Sequence, residues 1–280
     1  MMQRLLILLA LGSMVSTQTP SSKQIHTKVD LVSENLTLQS GKPFYVGLRF
    51  RMVPGWHIYW NNPGDSGQGP SVAWKGTPGF TPGPLEWPAP QRMQDGPLVD
   101  YGYTGEVLLP ARFKAPANLA PGGEALVIAD LKWLECEKIC VPQKASLHVQ
   151  IPIAAGESKP DPQLKELFAH TRAAIPIDMP ADWRAFAETR KDTFHLTVNT
   201  PAKDRPKTTD KIIYFPLVVS LIENAAPQKI TITPTGFQME LHKSEQYLKP
   251  VPILPGVLVI NKKAYTMYPS LSEMKSGSKH

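Results

Sequence analysis

Cysteine is almost missing from this chain, with two among 280 residues, and long apolar runs, basic blocks and proline-free stretches are scarce as well. Each scarcity excludes something. Two cysteines cannot build the multi-bridge framework of a small secreted domain. The formal charge is +6, yet no run of five or more lysines and arginines occurs, so the charge reads as solubility and no nucleic-acid partner is expected. Beyond the N-terminus nothing reaches the roughly 20 apolar residues that span a bilayer. The best candidate, 253–260, is broken by Pro255 and Gly256. With 29 prolines and 19 glycines, long helices are untenable over most of the chain.

What is present begins with Met1 to Arg4 as a short positive start, Leu5 to Val15 as an apolar stretch, and small polar residues from Ser16. This is the pattern of a secretory signal peptide, assigned to residues 1–20 with cleavage between Ser16 and Ser22. It predicts an exported, periplasmic protein that is soluble after cleavage. The remaining length suits two domains. Strands are predicted at Lys28 to Leu38, Phe44 to Met52, Gly55 to Trp60, Val72 to Trp74, Glu106 to Phe113, Ala125 to Leu134 and Ala145 to Ile151, with a loop at 61–70 and a proline-rich passage at 77–97. A first sandwich at 21–155 follows from these strands. Gly156 to Pro162 reads as a linker, and Asp161 with Pro162 as the start of a short helix carrying Leu164, Leu167 and Phe168 on one face. Six more strands between Thr193 and Met267 define a second β-sandwich domain at 161–268, expected to serve docking, before a polar tail at 269–280. The predicted class is all-β, two immunoglobulin-like sandwiches and one short helix.

The chemistry concentrates in Trp133-Leu-Glu-Cys136-Glu-Lys-Ile-Cys140-Val-Pro142. Two close cysteines in an oxidising compartment pair, and the first alternative is a structural staple. Magnitude disfavours it, since closing a five-residue ring gives roughly 2 kcal/mol against about 4.7 for a 100-residue ring. Cysteines four apart on a helix have Cβ atoms about 5–6 Å apart where a disulfide needs about 3.8 Å, so two strands facing across a tight turn fit better. Glu137-Lys138-Ile139 offers no glycine for a left-handed residue, which predicts strain and reducibility. Glu135 and Glu137 beside Cys136, only partly offset by Lys138, predict raised thiol pKa values and a dithiol that donates electrons. A metal reading has only two ligands in CxxxC, unless His57 approaches in space. In Gly55 to Trp60 the alternation puts Trp56, Ile58 and Trp60 in the core and His57 and Tyr59 on the opposite face.

The cysteine segment, Gly55-Trp-His-Ile-Tyr-Trp60 and Val99-Asp-Tyr-Gly-Tyr-Thr-Gly105 together resemble the periplasmic N-terminal region of the DsbD thiol-disulfide interchange family. Asn62-Pro-Gly-Asp-Ser-Gly67, Trp87-Pro-Ala-Pro90 and the CxxxC spacing resemble its ScsB-like, copper-sensitivity-suppressor branch, and similarity continues through Ala226-Pro227 and Gly256 to Ile260. The resemblance implies an immunoglobulin-like sandwich whose cysteines pass electrons between thioredoxin-fold proteins, with Cys140 as the partner-attacking thiol and Cys136 as the resolving one. It implies His57 and Tyr59 beside the pair, and a cap loop best matched by Asp100, Tyr101 and Tyr103. It also implies links to cytochrome c biogenesis and copper tolerance. DsbD itself has a wider cysteine spacing, and full-length relatives add membrane and thioredoxin-like domains that are not expected here.

The resulting expectation is a periplasmic relay that uses no cofactor. Its partners are thioredoxin-fold proteins and a separately encoded membrane electron carrier, with no small-molecule substrate, and the chain is expected to be a monomer. Two alternatives stand beside it, a non-catalytic interaction module with a structural disulfide, and a copper-binding protein using Cys136, Cys140 and His57.

Overall fold

The computed structural model describes residues 25–248 and 250–273. The expected signal peptide and most of the expected tail fall outside these residues. In chain order the strands are β1 (Thr27–Ser33), β2 (Pro43–Met52), β3 (His57–Gly64), β4 (Ser71–Gly76), β5 (Thr81–Leu85), β6 (Gln91–Asp95), β7 (Leu98–Thr104), β8 (Glu106–Lys114), β9 (Glu124–Cys136) and β10 (Cys140–Pro152). One helix follows, α1 (Lys165–Ala174). Then come β11 (Ile177–Asp178), β12 (Arg184–Thr189), β13 (Thr193–Asn199), β14 (Ile212–Pro216), β15 (Lys229–Thr233), β16 (Gly236–His242), β17 (Gly256–Ile260), β18 (Lys263–Met267) and β19 (Leu271–Glu273). The all-β class is as expected.

Strand order β1-β2-β8-β5 forms one sheet and β10-β9-β3-β7-β6, with β4 also on β9, the other sheet of the first sandwich. Period-2 alternation sends Val46, Leu48 and Phe50 of β2, Leu109 and Ala111 of β8, Ile58 and Trp60 of β3 and Val127, Ala129 and Leu131 of β9 into one core. The second sandwich pairs β11-β18-β17-β14 with β15-β16-β13-β12-β19 around Leu196, Val198, Phe237 and Met239.

The sheet of β14, β17 and β18 is buried on both faces. Tyr214, Leu258 and Tyr265 belong to the second core, while Phe215, Val257 and Ala264 pack into the first. Two-sided burial explains why Ile212-Ile-Tyr-Phe215 and Val257-Leu-Val-Ile260 are continuous apolar runs where the outer strands alternate. At the junction Phe215 meets Tyr101 edge-on at 5.1 Å and Trp60 at 6.2 Å between ring centres.

Several local expectations change. Passage 77–97 contains β5 and β6, both at sheet edges, where proline costs no ladder bond. The Tyr-Gly-Tyr segment is strand β7, not a loop, and β3 runs on through Asn61 to Gly64. The helix proper starts at Lys165, past the expected Asp161–Pro162 start, because Asp161 organises a preceding turn: its Oδ1 accepts from Gln163 N at 2.8 Å and its carbonyl from Lys165 N at 3.0 Å. Strand β19 pairs in parallel with β12, so the second sandwich continues past 268.

Phe50 is fully buried between the first two sheets, with its ring edge-on to Trp133 at 6.1 Å. Phe50→Ala is expected to lower the unfolding free energy by about 3–5 kcal/mol, read from denaturant titration followed by circular dichroism.

A candidate redox site at the tip of the β9–β10 hairpin

Strands β9 and β10 form a 13-pair antiparallel ladder whose last directly facing pair is Cys136 and Cys140. Their Cα atoms lie 4.2 Å apart and their sulfurs are bonded. This is the facing-strand geometry expected from the spacing. The turn, Glu137 to Ile139, contains no residue with positive φ, so the strain expected from the missing glycine has no left-handed residue to arise from. The two cysteines are unequal: Cys136 is 2% exposed, whereas Cys140 is an exposed residue.

Cys136 also faces His57 at the start of β3, so the strand after Trp56 lays His57 and Tyr59 on the cysteine side while Ile58 and Trp60 enter the core. Tyr59 is 1% exposed, and its hydroxyl lies 3.1 Å from Cys136 Sγ and 3.3 Å from Cys140 Sγ. Burial raises the Tyr59 pKa, with Asp100 adding to the rise and the Ser66 hydrogen bond opposing it, so the phenol keeps its proton at neutral pH. His57 meets the Tyr59 ring edge-on at 5.2 Å. Its Nε2 is buried without a hydrogen-bond partner, and burial lowers its pKa from 6.5 against the opposing pull of Asp100 and Asp95. The imidazole is therefore neutral at pH 7.

A lid completes the site. Ser66 Oγ stands 3.4 Å from the Tyr59 hydroxyl and donates to Asp100 Oδ2 at 2.9 Å, while Ser66 N donates to Asp100 Oδ1 at 2.9 Å. Gly67, at φ +75°, lies flat on the Tyr59 ring, and a Cβ there would fall 2.1 Å from Tyr59 Cζ.

Of the residues expected at the site, the structure gathers Cys136, Cys140, His57 and Tyr59, and brings in Asp100 through Ser66. Tyr101 and Tyr103 are not gathered. Their side chains project from the opposite face of β7 into the core, where Tyr101 donates to Asn224 Oδ1 at 2.9 Å and Tyr103 to the Pro88 carbonyl at 2.7 Å. Ser66 and Gly67 cover Tyr59, within the segment 62–67 already distinguished in the sequence. Asp65 bonds across to β7, accepting from Val99 N at 2.7 Å.

The flanking charge is also arranged differently from expectation. Glu135 points to the face opposite Cys136, fully buried, accepting from Gln143 Nε2 at 2.7 Å and from His26 N at 3.2 Å. Glu137 is exposed at the turn. Among the described residues no group of three or more His, Cys, Asp or Glu side chains is arranged to hold a metal. Beside the pair, on the outer face of the hairpin, a groove of about 540 Å³ is lined by Leu134, Pro142, Lys132, Lys144, Gln68 and Gly69.

No curated protein matches the chain. Residues 28–152 match the model of the N-terminal region of the thiol:disulfide interchange protein DsbD. Among solved structures, the N-terminal periplasmic domain of ScsB from Proteus mirabilis is 14% identical and superposes with a TM-score of 0.63 over 92% of this chain and 97% of that one. That likeness establishes the fold. The periplasmic chaperone SfaE, at 10% identity over 88% of this chain and 100% of that one, reaches a TM-score of only 0.23. Over residues 28–152 the chain is therefore a DsbD/ScsB-like N-terminal domain, by sequence match and by fold.

Proposed function

We propose that the chain exchanges disulfides with thioredoxin-fold proteins in the periplasm, relaying two electrons through Cys136 and Cys140. The observation that carries the reading is the pairing of an exposed cysteine, Cys140, with a buried one, Cys136, whose Sγ lies 3.1 Å from a protonated phenol. A partner thiolate attacks Cys140 Sγ along the S–S axis. The S–S bond breaks, its electron pair goes to Cys136 Sγ, and the Tyr59 O–H stabilises the thiolate that forms. The partner's second thiol then attacks its own sulfur in the mixed disulfide, releasing an oxidised partner and a Cys140 thiolate. The two protons of the partner's dithiol end on Cys136 and Cys140. Run backwards on a second partner, the same steps empty the pair again.

Neutral His57 beside Cys136 adds no positive charge that would hold a permanent thiolate, and the Glu135 carboxylate is turned away. The site thus stabilises a thiolate by one hydrogen bond where strong oxidants use a cationic setting. No helix among the described residues is long and apolar enough to cross a membrane. In this reading electrons reach the pair from a separate membrane carrier by way of a thioredoxin-fold protein.

Cys136→Ala is expected to trap a covalent adduct between Cys140 and a purified exported thioredoxin-fold protein with a CxxC pair, visible on a non-reducing gel. The adduct disappears when Cys140→Ala is added, and absence of any adduct would favour a purely structural disulfide.

Tyr59→Phe removes the donor without changing packing and is expected to raise the pH midpoint for alkylation of the reduced pair by about 1 unit, since a hydrogen bond to a charged group is worth about 1.5–3 kcal/mol.

Because folding lowers the His57 pKa below 6.5, the unfolded state binds the extra proton first, and stability present above pH 6.5 is lost as pH falls through the folded value. Thermal unfolding measured between pH 7 and 5 is expected to show that loss reduced in His57→Gln.

A further inference from the structure

The lid over Tyr59 is tethered to both sandwiches. Between Tyr59 and Gly64 the β3–β7 register breaks, so the ladder does not hold this segment. Past the break a backbone bond from Asp65 N to the Val99 carbonyl at 3.0 Å and the two Ser66 bonds to Asp100 tie it to β7, and further side chains tie it to the second sandwich. Asn62, 2% exposed, donates from Nδ2 to the Pro216 carbonyl at 2.7 Å and accepts Gly64 N at 3.1 Å. Asp65 accepts Val99 N on Oδ2 and Asn224 Nδ2 on Oδ1, each at 2.7 Å. Asn224, 6% exposed in the connection between β14 and β15, uses its Oδ1 for the Tyr101 hydroxyl at 2.9 Å and its carbonyl for Arg92 at 3.1 Å.

We infer that Asn224 is a positioning residue for the redox pair, acting through Asp65 on the lid and through the lid on Tyr59. Asn224 touches neither sulfur. Asp65 is bound on one side by the first sandwich and on the other by the second, and it precedes Ser66 and Gly67. Those two residues hold the Tyr59 hydroxyl and ring, and that hydroxyl faces both sulfurs. If Asn224 is lost, the lid has one tether fewer and the exposed Asp65 oxygen turns to water, so the Tyr59 hydroxyl spends less time on the sulfurs. The second sandwich is in this view part of the redox site, where the sequence suggests docking alone. The inference rests on the exchange function proposed above.

The test uses the whole chain and its own thiols. The protein is reduced, and alkylation by iodoacetamide is followed against pH. Asn224→Ala is expected to shift the midpoint upward by about 1 unit, in the direction of Tyr59→Phe, because the same hydrogen bond is weakened. Added to Tyr59→Phe, Asn224→Ala should then do nothing further. The exchanged pair Asp65→Asn with Asn224→Asp restores a donor facing an acceptor and should bring the midpoint back to within a few tenths of a unit of the starting protein. Should Asn224→Ala not fold, Asp65→Asn is read in the same assay, since an amide there cannot accept from both Val99 N and Asn224. A folded variant with an unshifted midpoint, or shifts that simply add to that of Tyr59→Phe, would overturn the inference. Failure to trap any thioredoxin-fold partner leaves this measurement unaffected, so the two readings fail separately.

Discussion

The sheet made by β14, β17 and β18 has no solvent face, and the rest of the molecule depends on that constraint. Tyr214, Leu258 and Tyr265 fill one core, while Phe215, Val257 and Ala264 complete another. Neither sandwich can withdraw without exposing the apolar face that it lends or borrows, at a cost of about 25 cal/mol for each Å². Phe215 then stands between Trp60 and Tyr101, the residues next to Tyr59 and Asp100 in their strands. A hydrophobic requirement thereby brings the β14–β15 connection, with its polar Asn224, against the loop over the cysteines.

Among the described residues the side chain that touches both sulfurs is uncharged, and Lys138, in the turn between the cysteines, is exposed. Tyr59 supplies a hydroxyl, His57 a neutral ring and Ser66 a second hydroxyl; Asp100 is occupied by Ser66, Glu135, on the far side of its strand, by Gln143 and His26, and Glu137 is exposed at the turn. Uncharged donors stabilise a thiolate enough to let it leave but not enough to keep it as a thiolate. Such a pair suits transfer in sequence better than one-way oxidation.

Much of this was legible in the sequence because it follows from local rules. The facing of Cys136 and Cys140 follows from a three-residue spacer between strand-like segments, and the placing of His57 and Tyr59 opposite Trp56, Ile58 and Trp60 follows from period-2 alternation. The lid was visible only as a segment. That Gly67 must be glycine becomes apparent once the Tyr59 ring lies beneath it. The resemblance implied Tyr101 and Tyr103 in a cap loop; the structure puts both side chains in the core, and that burial comes from strands distant in sequence. Strand β5 was hidden by the rule that disfavours proline in strands, which relaxes at an edge, and β6 by the prolines on either side of it. Asn224 carries no local signal, since its bond to Asp65 spans 159 residues.

The unequal exposure of the two cysteines also bears on how partners are told apart. With Cys136 covered by Tyr59 and Cys140 open, any covalent complex in this mechanism has a single connectivity, whichever protein arrives. The sulfur chemistry is then common to all comers and selects none of them. Discrimination falls to the skin around Cys140, namely the Ile139 side chain, 70% exposed at the hairpin tip, and the lysine-flanked groove along Leu134 and Pro142. Changes there would redirect which proteins are served while leaving the bond that is made and broken as it is.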